Sequence, residues 1–290
     1  SVPSLFHKQN IRVGYYGKDA NSVVFLGGID LDTQVVGAIG VVRHSNMRDY
    51  WLVTAARISP INSVLKVYAL SSSGVALLPS FEMTYHHPST LNINALQMVV
   101  SPMNNRIVVS AAENYITVFD FDNNSGRVVQ SFGFDFYRRF PGPFGIFGLR
   151  MGAFSPGGER FYLYYLDARR TNMRRQIVQF DGMASDSTLF YHSLAGFEVQ
   201  AEFPESFHAG RDGRLYISTR NLNTTVVSMT RFNEPAAFGI GAQLQLAYHV
   251  LYTRDPTAIQ RFNFAYPIPD FNLKDRFTIR GADTLCVGDT

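Results

Sequence analysis

Cysteine is almost absent from this chain. Cys286, near the end, is the single one among 290 residues, so an internal disulfide is excluded. No apolar run reaches the roughly 18 residues a membrane-spanning helix needs. Charge is scarce too: charged residues make up 17% of the chain, against roughly 25% in ordinary domains. The net charge of +3 does not by itself argue for nucleic acid. Lysine is nearly missing, with four against 22 arginines. No long window carries apolar residues at helical spacing, which argues against helical fold classes. The chain opens on Ser1 with no visible leader, as expected of a processed protein or of part of a longer chain.

What is present is aromatic and repetitive. The 24 Phe and 15 Tyr bring aromatics to 14% with the single Trp51. Together with Val, Ile and Thr they favour pleated, half-buried strands. Three segments share one design: "VSPMNNRIVVS" from Val100, "FSPGGERFYLY" from Phe154 and "HAGRDGRLYIS" from His208. Each has a turn rich in Gly, Asn or Asp, then an Arg, then an apolar strand. Their starts are 54 residues apart (154 − 100 and 208 − 154). A looser copy, "VRHSNMRDYWLVT", runs from Val42 to Thr54. A second strand follows in each unit, as in "YITVFDFDNNSG" from Tyr115 to Gly126. Repetition of one supersecondary unit at this period predicts propeller blades. The expected fold is an all-β propeller of four-stranded antiparallel blades, with an incomplete ring allowed by the length. The stretches 1–21 and 237–270 read as partial or atypical blades. The alternation in Ile116–Asp120 predicts one packed face and one wetter face.

These segments resemble the propeller-like repeat regions of large Bacteroidota surface proteins of the type IX secretion and gliding-motility-associated group, which carry PKD-type domains. The resemblance rests on "RHSNMRDYWLVT", "LQMVVSPMNNRIVVSAAENYITVFDFDNNSGRV", "GAFSPGGERFYLYY" with "QIVQFD", and "GRDGRLYIS". It extends to "AYPIPDF", Ala265 to Phe271, and to "GADTLCVGDT", Gly281 to Thr290. It implies a propeller over 1–271, then a linker and the first strand of a following Ig-like domain over 272–290. It also implies pairing of Cys286 with a later cysteine. It further implies an extracellular or outer-membrane-associated, non-catalytic module whose partners are other cell-surface or secretion-system proteins. A carbohydrate-binding or glycan-processing propeller is the alternative.

Catalytic signals are few. Adjacent His86 and His87 on a strand point to opposite faces and suit a shared metal poorly. Asp212 in "GRDGR" lacks the tryptophan of a sialidase-type Asp-box, and no Gly-x-Ser-x-Gly elbow occurs. No cofactor or metal site is expected. Two segments stand out as candidate partner-binding loops. The first, 134–150, places Phe136, Tyr137, Arg138, Arg139, Phe140 and Phe144 among Gly and Pro. The second, "RRTNMRR", carries Arg169, Arg170, Arg174 and Arg175 and is predicted as an exposed hairpin loop. Aromatics and Arg are enriched at interface hot spots. A basic patch also suits an anionic glycan.

Overall fold

A computed structural model describes residues 11–19, 22–32, 37–59, 61–71, 74–86, 96–111, 115–135, 152–167, 174–198, 202–210, 212–221 and 226–252. The expected boundary at 271/272 and Cys286 lie outside these residues. The fold is a four-bladed β-propeller, and each blade is an antiparallel meander in chain order.

Blade 1 holds β3 (Gly37–Arg43), β4 (Tyr50–Arg57) and β5 (Asn62–Ser71). Its fourth strand is split into β6 (Gly74–Val75) and β7 (Phe81–His86), both paired with β5. Blade 2 holds β8 (Leu96–Val100), β9 (Arg106–Ala111), β10 (Tyr115–Asp122) and β11 (Arg127–Asp135). Blade 3 holds β12 (Gly152–Phe154), β13 (Arg160–Asp167), β14 (Arg174–Asp181) and β15 (Ala195–Glu198). A short helix, α1 (Ser187–His192), precedes β15. Blade 4 holds β16 (Glu202–Ala209), β17 (Leu215–Asn221), β18 (Val226–Phe232) and β19 (Leu244–Tyr252). Residues 244–252 therefore complete blade 4 instead of opening an atypical one. Upstream, β1 (Ile11–Asp19) and β2 (Ser22–Asp32) form a separate hairpin.

The first strands of successive blades neighbour one another, β3 with β8, β8 with β12 and β12 with β16. The blades consequently stack face to face around one axis. This overturns the one-sided reading of Ile116–Asp120. Ile116, Thr117, Val118 and Phe119 are all buried. Ile116 and Val118 pack with Phe161, Leu163 and Phe180 of blade 3. Phe119 and Phe121 pack with Trp51, Val53 and Leu65 of blade 1. A strand sandwiched between two blades has no wet face. Each fully buried Phe contributes about 1.5–3 kcal/mol by leaving water.

The repeated turn keeps one bonding scheme in the four blades, one residue shorter in blade 4. The turn's first residue donates its N–H across the hairpin: His44 to Asp49, Ser101 to Arg106, Ser155 to Arg160 and Gly210 to Arg214. The residue three further on donates back to it. That residue takes a positive φ: Met47 at 63°, Asn104 at 56°, Gly158 at 84° and Gly213 at 78°. Gly and Asn tolerate this conformation, and a Met does so at a cost.

Candidate interaction face at the turn end

The meander puts two sets of turns at the same end of the propeller. One set joins the first and second strands of each blade, and the other joins the third and fourth. At this end each blade reaches into the next. Trp51 Nε1 of blade 1 donates to the Asn123 carbonyl of blade 2 at 2.9 Å. Arg106 of blade 2 donates to the Gly182 and Ala184 carbonyls of blade 3 at 2.8 and 2.9 Å. Its other edge bonds Asp120 at 2.9 Å within its own blade.

The blade 3–4 latch is the most polar. Tyr162 Oη donates to the Pro235 carbonyl at 2.7 Å. Gln179 Nε2 donates to Tyr162 Oη and to the Ala237 carbonyl, each at 2.7 Å. Its Oε1 accepts from the Gly239 N–H at 2.8 Å. Gln179 is fully buried; both its amide N–H groups donate and its Oε1 accepts one bond. Burial pushes the Tyr162 phenol well above its ordinary range, with the Gln179 bond acting the other way.

These bonds pin the segment 235–239 from beneath, and the chain then turns through a 3-10 turn, Gly239–Ala242. The pinned segment and the turn display apolar side chains outward. Phe238 is 51% exposed and Ile240 97% exposed. The Arg160 guanidinium lies 5.6 Å from the Phe238 ring centroid and 3.6 Å from Asp181. Other exposed apolar side chains share this end: Met47, Met103 and Met183 on turns, and Leu189 on α1. Met103 sits beside Gly158 of the next blade's turn.

No protein-family model and no curated protein matches the chain. Among solved structures it is similar to a candidate 6-phosphogluconolactonase from Bacteroides uniformis, at 11% identity over 82% of this chain and 64% of that one, TM-score 0.48. It is also similar to the β-propeller domain of Swd1 from Myceliophteria thermophila, at 12% identity over 75% and 62%, TM-score 0.47. A third is the periplasmic gluconolactonase PpgL of Pseudomonas aeruginosa, at 13% identity over 71% and 52%, TM-score 0.40. The chain spans less than two thirds of the length of each of these structures. The sheet topology defines the propeller fold.

Phe136, Tyr137, Arg138, Arg139, Phe140, Phe144, Arg169 and Arg170 lie outside the described residues. Arg174 and Arg175 do not sit in a hairpin loop. They open β14, opposite Asp167 and Leu166, because strand pairing runs to the end of the β13 arm. Asp212 is a turn residue, as expected. Its carboxylate accepts from Tyr216 Oη at 2.6 Å and pairs with Arg214 at 3.1 Å. The Tyr216 hydroxyl holds the Asp212 carboxyl below the usual range. His86 ends β7 opposite Asn62. Among the described residues no group of three His, Cys, Asp or Glu side chains is placed to hold a metal. Sequence reading missed Phe238 and Ile240. The available signal was "PAAFGIGAQ", an apolar pair among Gly and Ala directly after a strand.

Proposed function

We propose that the chain is a non-catalytic protein-interaction propeller whose turn end docks a partner on the Phe238–Ile240 loop. The observation that carries this reading is Ile240, 97% exposed on a loop whose backbone is tied down by buried Gln179 and Tyr162. A loop held in one conformation loses little entropy on binding, and apolar side chains shown to water gain from being covered. Methionines around it supply adaptable contact area. The carboxylates of Asp120, Asp181 and Asp212 are each paired with an arginine. That arrangement suits a scaffold better than a glycan-processing site, where two carboxylates flank the bond to be broken. The motif resemblance adds the expected setting, a secreted or surface-anchored protein of the type IX secretion or gliding apparatus.

A photo-crosslinking residue placed at position 240 tests this. We expect one discrete adduct in native surface fractions, lost when Phe238 is also changed to Ala. The same crosslinker at Val129, exposed on the outer strand of blade 2, is the control. Equal adducts at 129 and 240, or none at 240, would overturn the reading.

A further inference from the structure

Among the described residues at this end of blades 3 and 4, carboxylates outnumber cations: Glu159, Asp181, Asp186, Asp212 and Glu234 against Arg160, Arg214 and Arg231, the last bonded to Gln245. Arg160 is neutralised by Asp181 at 3.6 Å and covered by the Phe238 ring. Arg214 is neutralised by Asp212 at 3.1 Å. Three exposed carboxylates of blades 3 and 4 have no cationic partner in the described structure: Glu159, Asp186 and Glu234. Glu159 accepts the Ser155 hydroxyl at 3.0 Å, and Asp186 caps α1 by accepting from the Thr188 and Leu189 N–H groups. Both roles hold these carboxylates in place. Glu159 is the neighbour of Arg160, Glu234 immediately precedes the pinned loop, and Asp186 lies three residues beyond exposed Met183.

We infer that the occupant of this surface is a protein segment presenting Lys or Arg beside apolar side chains. This rests on the reading of the turn end as a docking face and adds the chemistry of the partner. Apolar contacts to Phe238, Ile240 and Met183 supply the adhesion. The carboxylate rim selects the sign of the flanking charges and rejects acidic segments, since like charges brought together at an interface are costly. The rim is exposed, so its effect is strongest at low salt, where screening is weakest.

Three amphipathic peptides of equal length and identical apolar positions, carrying Lys, Gln or Glu at the polar positions, serve as probes. Fluorescence anisotropy measures each on the whole chain at about 50 mM salt, where the Debye length exceeds 10 Å. We expect the Lys peptide to bind at least tenfold tighter than the Glu peptide, the gap closing at high salt. A Glu159→Gln/Glu234→Gln variant is expected to bring the Lys peptide close to the Gln peptide. Phe238→Ala/Ile240→Ala is expected to weaken all three. A Glu peptide binding as well as the Lys peptide, or a ranking unmoved by the double Gln variant, would overturn the inference. Failure of the docking face itself is read separately, from the crosslinking at position 240. Circular dichroism of each variant establishes that the fold is retained.

Discussion

The blade 1–2 and blade 3–4 junctions solve one problem with opposite chemistry. In both, inner strands of one blade reach the turn before the fourth strand of the next: the second strand at the first junction, the second and third at the other. At the first junction the reach is a large apolar ring whose Nε1 shares the Asn123 carbonyl with the Ser45 N–H, while the Ser45 hydroxyl donates to Asn124 Oδ1. Trp51 lies flat against Gly126, whose φ of 72° and missing Cβ let the ring approach. A Cβ there would sit 2.9 Å from the ring. At the second junction the reach is a buried Tyr–Gln pair making four hydrogen bonds. The apolar latch covers its turn and leaves polar Asn124 and Ser125 outside. The polar latch grips backbone from below and leaves Phe238 and Ile240 outside. Both turns are held by main-chain carbonyls, but only at the first junction does an apolar ring also lie over the turn, so only the second turn is left with apolar side chains to show.

Breaking each latch separates the two modes. Trp51→Ala removes a buried ring, and such changes cost about 3–5 kcal/mol. The expected result is a clear fall in Tm with crosslinking at position 240 preserved. Gln179→Leu takes the protein partner from the half-buried Ala237 carbonyl and Gly239 N–H, at about 1 kcal/mol for each, the low end of the cost because water still reaches them. It is expected to cost less stability than Trp51→Ala and yet to weaken partner capture at Ile240. Loss of capture in Trp51→Ala but not in Gln179→Leu would reverse the assignment of the two latches.

Smaller changes sharpen the same contrast. Gly126→Ala forces a side chain into positive φ against the Trp51 ring and is expected to cost about 1–2 kcal/mol. Met47→Asn replaces the one side chain ill suited to its left-handed turn position and is expected to raise Tm by a degree or two, a gain of about 0.5 kcal/mol. The smallest effect concerns pH. Asp122 has its carboxyl lowered by the Ser125 hydroxyl and the Asn124 N–H. A lowered folded-state value means the stabilisation is present above the unfolded value of 3.8 and is lost as pH falls through the folded one. Asp122→Asn is therefore expected to flatten the acid limb of a thermal-denaturation series without moving the neutral plateau.

Much of the architecture was legible before any coordinates. The 54-residue spacing marked the hairpin between the first two strands in blades 2, 3 and 4, and the looser copy at Val42 marked it in blade 1. Those turns are local objects. Their Gly, Asn and Asp follow from backbone bonds within six residues, so sequence alone specifies them. Strand identity was similarly local. Burial was not. The alternation at Ile116–Asp120 holds for a two-layer sheet, and only the stacking of a blade on either side filled both faces. The interaction face was decided at still longer range. Phe238 and Ile240 are exposed because Gln179 and Tyr162, 58 to 73 residues away in the chain, hold the backbone beneath them. No window of sequence contains that contact. It exists only when two blades close on each other, which is why an apolar pair that composition assigns to a core stands in solvent instead.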